Sequence, residues 1–144
     1  MDRVLPGEVR WQPVAFAFIL RAHDRMPWSF DGAQRPAGIT ECERRARDYG
    51  LPPMRWPQGW PVTSYGLISL RAAVVADGEG LLKPFSRAAF ARTFVHDRGL
   101  AQLEDVLEVA EQAGLDPDFV RHGIGAEATK RRLTEAIRAG VSTG

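Results

Sequence analysis

The chain has 144 residues, a length that suits one domain. A hydrophobic content of 44% with 26% charged residues excludes a disordered or coiled-coil chain. Nineteen basic residues against 18 acidic ones leave a net charge of +1, which offers no global field for nucleic acid or an anionic membrane.

Proline and glycine crowd the first part of the chain, and all four tryptophans, Trp11, Trp28, Trp56 and Trp60, lie there. Residues 8–16 alternate Val9, Trp11, Pro13 and Ala15 with Arg10 and Gln12, the period of a strand. Pro13 lacks a backbone donor and places that strand at a sheet edge. Residues 16–22 read as a short helical turn, and 26–37 as a loop broken by Pro27, Gly32 and Pro36. A helix follows over 39–49, with Thr40 and Glu43 spaced as a capping box. Gly50 and then Pro52-Pro53 stop it. Residues 64–76 form the most apolar helix, with little polar face, and are expected to be central and buried. Thr63 or Ser64 is placed to cap it.

Gly78 and Gly80 mark the turn into a helix over 81–94, where Phe85, Ala88, Ala89, Arg92 and Phe94 approximate one stripe. The helix over 101–113 has a buried stripe of Leu103, Val106, Leu107, Ala110 and Ala113, opposite Glu104, Glu108 and Glu111. Asp116-Pro117 is an N-cap followed by an N1 proline, opening a short helix to about residue 122. The last helix, 126–139, turns Thr129, Leu133, Ala136 and Ile137 inward. It has four-apart pairs of Glu127 with Arg131 and Arg131 with Glu135, and Gly140 as its cap.

No self-contained catalytic motif is visible. His23, His96 and His122 have no metal-ligand spacing, and no phosphate-binding glycine loop or GxSxG is present. A lone cysteine, Cys42, excludes an internal disulfide and every CxxC pattern, and a reducing cytoplasm is its simplest setting. Within a helix it reads as packed or idle rather than reactive. The run Glu43–Arg47 is diluted by Glu41, Glu43 and Asp48 and reads as a solvated helix face. The longest apolar run, residues 14–20, is far short of the ~20 that span a bilayer. His96-Asp97-Arg98 is either a polar site or a turn completed by Gly99, and composition favours the turn. Trp56-Pro57-Gln58-Gly59-Trp60-Pro61-Val62-Thr63-Ser64 is a stiff loop running into a helix. It either presents free N–H groups to an anion or forms a hydrophobic lid.

The order of several segments resembles a known family. Val9-Arg10-Trp11-Gln12-Pro13-Val14, Tyr49-Gly50-Leu51-Pro52, Trp60-Pro61 leading into Ser64, and Leu70-Arg71-Ala72-Ala73 are similar to the DsbA-like thioredoxin superfamily. The nearest branch is the 2-hydroxychromene-2-carboxylate isomerases and kappa-class glutathione transferases. The likeness continues through Phe85, Phe90 and Phe94, the Leu115-Asp116 turn and Ala139-Gly140-Val141. It implies a mostly α chain with one or two short β-strands, a truncated thioredoxin-like fold dominated by its helical insertion. Residues 1–38 would be a residual strand and loop, 39–125 the helical insertion, and 126–144 the returning helix.

The resemblance implies a glutathione-dependent isomerase or a related thiol-dependent oxidoreductase. Its catalytic serine or cysteine would precede the helix whose tail is Met1–Gly7, and its cis-proline loop would follow Gly144, so no catalytic residue is assigned. Glutathione would be held by Trp60, Pro61, Thr63 and Ser64. A small, aromatic substrate would lie near Phe94, His96 and Asp97. No metal, nucleic acid or membrane is implied. The unpaired strand edge would call for a second copy or a complementing chain. The alternative is a non-catalytic helical module for binding or interaction.

Overall fold

The computed structural model describes residues 9–64 and 66–143. Among them the chain forms α1 (Phe16–Ala22), α2 (Arg35–Asp48), α3 (Leu67–Gly78), α4 (Leu82–Phe94), α5 (Leu103–Gln112), α6 (Pro117–Gly125) and α7 (Glu127–Thr143), with a 3-10 turn at Val62–Ser64. The mostly helical expectation holds. The expected strand does not form: the described residues contain no strand, and residues 9–15 run without regular structure. Alternating side chains make a strand only where a neighbouring chain pairs with its backbone groups. The stretch is held by side chains instead, with Trp11 against the core and Ala15 buried. The strand edge that would invite another chain is therefore not formed here. The expectation for Met1–Gly7 lies outside the described residues.

As expected, α3 is the central element, in contact with α4, α5, α6 and α7. Its Ala72, Ala73, Val75 and Ala76 meet Leu82 and Phe85 of α4, Val106, Leu107, Val109 and Ala110 of α5, and Val120 and Ile124 of α6. Small side chains let the axes come close. A Cβ on Gly123 of α6 would lie 2.7 Å from Val75 Cγ2, so glycine is what the α3–α6 approach requires. Leu133 and Ala136 bury the inner face of α7, and α1 packs on its outer end.

Helix stops follow the sequence closely. Gly50 takes φ +65°; its N–H donates to Arg47 O (2.9 Å) and that of Leu51 to Ala46 O (2.8 Å), a Schellman ending. Helix starts follow it less well. α2 begins at Arg35, four residues early, because the Asp31 carboxylate accepts from Ala33 N–H (2.9 Å) and Gln34 N–H (3.3 Å) and orders the turn ahead of it. Pro36 then falls in the first turn, where its missing donor costs nothing. Thr40 is thus not a cap; its hydroxyl donates to Pro36 O inside the helix. Gly66, not Thr63 or Ser64, is the N-cap of α3. Asp116 caps α6 as expected, accepting from Asp118 N–H and Phe119 N–H at 2.8 and 3.1 Å. In α7, Glu127 pairs with Lys130 at 2.6 Å rather than with Arg131.

Gly140 does not end α7, which continues to Thr143. A Cβ there would lie 2.5 Å from Ile19 Cδ1 of α1, so this glycine makes room for a crossing helix.

Arg92 sits on the apolar stripe of α4, 5% exposed, and is fully engaged. Its Nη atoms donate to Asp105 and Glu108 of α5, and its Nε to Gly99 O at 2.9 Å. One guanidinium therefore clamps α4, α5 and the loop between them. Among the described residues no helix is long and apolar enough to cross a membrane.

Candidate functional site

A half-open cleft of about 450 Å³ lies between residues 11–14, Trp60, α3 and α4. One face of α4 supplies two adjacent rows at four-residue spacing, Phe85–Ala89–Thr93 and Ser86–Phe90–Phe94. Leu70 and Ala73 of α3 form the floor, and Trp11, Pro13 and Val14 the opposite wall.

Trp60 belongs to a run of packed aromatic rings. Trp28 lies over Gly38 of α2, where a Cβ would come within 2.2 Å of its ring. The Trp28 and Trp60 centroids are 5.7 Å apart, and Trp60 meets Trp56 edge-on at 4.6 Å. Trp56 meets Phe94 edge-on at 5.5 Å, and Phe94 stacks on Phe90 at 6.4 Å. Edge-to-face contacts at these separations are the favoured aromatic geometry. Trp56 is oriented further by its Nε1–H, which donates to Glu43 Oε1 at 2.9 Å, and by Arg55 N–H donating to Phe94 O at 2.7 Å. The proline-rich loop is thereby fastened to both α2 and α4. Its role as a hydrophobic lid is what the packing supports. Phe90, 61% exposed, stands at the mouth.

Among the described residues, the polar side chains lining the cleft are Gln12, Ser64, Ser69, Ser86 and Thr93, and no charged side chain lines it. Ser69 and Thr93 each donate to a carbonyl of their own segment, Gly66 O and Ala89 O, both at 3.0 Å. The Ser64 hydroxyl is buried and has no hydrogen-bond partner among the described residues.

Of the residues expected to hold glutathione, Trp60 and Ser64 line this cleft. Pro61 is fully buried, joined to Trp60 by a cis peptide bond. Thr63 is exposed, its hydroxyl donating back to Gln58 O at 3.0 Å. Of the expected substrate residues Phe94 lines the cleft, whereas His96 and Asp97 are exposed beyond the end of α4 and do not. Asp97 has φ +52° and Arg98 N–H returns to Arg92 O at 3.0 Å, so His96-Asp97-Arg98 is a turn.

The other candidate groups stay apart from the cleft. Burial pushes the Cys42 thiol above its ordinary value, away from the reactive thiolate. Arg44 and Arg45 are engaged by Glu41, and Arg44 also by Asp48, as a solvated helix face requires. Among the described residues no three His, Cys, Asp or Glu side chains gather to hold a metal ion.

Sequence reasoning did not place Trp11, Pro13, Val14, Ser69, Ser86 and Ala89 in a site. The four-residue spacing along α4 is the signal that could have found Ser86 and Ala89; the wall from residues 11–14 had no local signal. No protein-family model and no curated protein matches the chain.

Proposed function

We propose that this chain is a helical small-molecule-binding domain whose cleft takes a flat, mainly apolar ligand. The observation that carries the reading is the lining of the 450 Å³ cleft: aromatic and aliphatic side chains, a few hydroxyls and, among the described residues, no charged group. Ligand sites of roughly 300–1,000 Å³ have this composition, with apolar walls and few polar contacts. Among the described residues no ionisable side chain lines the cleft to act as a general acid or base, and what these residues offer is binding.

The test is titration with naphthalene, followed by tryptophan fluorescence and by melting temperature. Saturable binding in the micromolar range is expected, lost in an Ala89→Leu variant that fills the cleft and still melts cooperatively. Binding that never saturates, or that survives the substitution, removes the reading.

A second reading, a glutathione-dependent isomerase of aromatic intermediates, draws on one observation. The segments that carry the family resemblance, among them Trp11–Val14, Trp60, Ser64, Leu70, Ala73, Phe85, Phe90 and Phe94, converge on this one cleft. On that reading the cleft is the substrate site and the thiol chemistry belongs to other residues. An absorbance assay of 2-hydroxychromene-2-carboxylate with glutathione tests it; no rate above the uncatalysed one counts against it.

A further inference from the structure

Ser64 lies where two concavities meet. The aromatic cleft adjoins a second one, about 370 Å³, and both are lined by Val14, Ser64, Ser69 and Leu70. The backbone N–H of Ser64 is used within the 3-10 turn, donating to Pro61 O at 3.1 Å. Its hydroxyl is used by none of the described residues, although it is buried. Native interiors pair nearly all such groups, and an unpaired one calls for an explanation. The two neighbouring hydroxyls, Ser69 and Thr93, each have a carbonyl partner and show the ordinary solution. A hydroxyl left without a partner beside a cleft that otherwise offers few polar groups is a hydrogen bond waiting for a ligand atom.

Resting on the binding reading above, we propose that Ser64 is the polar anchor of the cleft. It selects planar aromatic ligands that carry a neutral hydroxyl or carbonyl over the plain hydrocarbons of the same shape. Several features define that ligand. The aromatic walls at Trp60, Phe90 and Phe94 favour a flat ring system, which stacks or meets them edge-on. Among the described lining residues none is charged, which favours a neutral group over an ionised one that would lose its hydration. The serine χ1 has three staggered positions and the side chain is small. A change of rotamer is therefore the one adjustment asked of Ser64 when a ligand binds.

The experiment compares naphthalene with 2-naphthol on the full chain and on two variants, Ser64→Ala and Ser69→Ala. The full chain is expected to bind 2-naphthol about tenfold more tightly, the gain of one buried hydrogen bond. Ser64→Ala is expected to bind the two ligands with equal affinity. It should also melt no lower than the parent when ligand-free, because an unpaired hydroxyl has been removed. Ser69→Ala, whose hydroxyl already serves Gly66 O, is expected to keep the preference. Equal binding of the two ligands by the full chain overturns the proposal, as does a preference that persists in Ser64→Ala or vanishes in Ser69→Ala. In those cases binding of naphthalene still stands, so the cleft reading survives. Failure of the full chain to bind either ligand overturns both.

Discussion

The two sides of α3 are built from different materials. Toward α5, α6 and α7 the contacts are made by alanine, valine and leucine; Ala72, Ala76, Val106, Val109, Ala110 and Val120 have no exposed surface at all. Toward residues 11–14 and 60 the contacts pass to tryptophan and phenylalanine, and a space of about 450 Å³ remains. Small aliphatic side chains interdigitate and close the interior. Large flat rings meet edge to face, and their direction is set by a few hydrogen bonds such as that of Trp56 to Glu43. Such a wall holds its shape without filling the volume behind it. The first side carries stability and the second carries the cleft.

Matched truncations sharpen this contrast most. Leu107, 6% exposed in the closed side, is expected to cost about 3 kcal/mol as Leu107→Ala. Phe90, 61% exposed at the cleft mouth, loses more atoms as Phe90→Ala, yet is expected to cost roughly 0.5 kcal/mol. Urea unfolding of both variants checks the pair; equal losses would erase the distinction between the two sides.

An intermediate effect is expected at the clamp between α4 and α5. Arg92→Met keeps the volume but strands the Gly99 carbonyl and leaves Asp105 and Glu108 without their partner. Removing one member of a buried ion pair costs roughly 3–5 kcal/mol when both charges are enclosed. Here the side chains of Asp105 and Glu108 remain 30% and 51% exposed, so about 2 kcal/mol is expected. Amide exchange should accelerate first in the loop of residues 95–102, which the guanidinium holds.

The smallest effect belongs to α2. Hydrogen bonds from Arg44 and Arg45 hold the Glu41 carboxyl down at about 2, against an ordinary value of 4.5. A carboxyl lowered in the folded state contributes above its unfolded value, and that contribution disappears as pH falls through its folded value. The melting temperature of Glu41→Gln should lie slightly below the parent at neutral pH. The two should converge between pH 4.5 and about 2. Because these ion pairs lie at the surface, salt should shrink the difference throughout.

What was legible in the sequence was what neighbours in the chain decide. Gly50 ended a helix, and Asp116-Pro117 began one, because capping is settled within a few residues. The α5 stripe of Val106, Leu107 and Ala110 was legible for the same reason, since its period is a property of the helix itself. The glycine signal at 140 was locally the same as a cap, and only the crossing of α1 through Ile19 made it an interior packing residue. Residues 9–15 alternated like a strand, but pairing depends on what lies alongside.

The sequence by itself determined a helical chain with α3 at its centre, because apolar content and local stops set the lengths and buried faces of the helices. The tertiary structure alone decided that Trp60, Ser64 and Phe94 share one cleft while Thr63, His96 and Asp97 face away. It alone left the Ser64 hydroxyl buried without a partner among the described residues. A cleft is a relation between surfaces distant in the chain, and no periodicity within a segment encodes which surfaces will fail to touch.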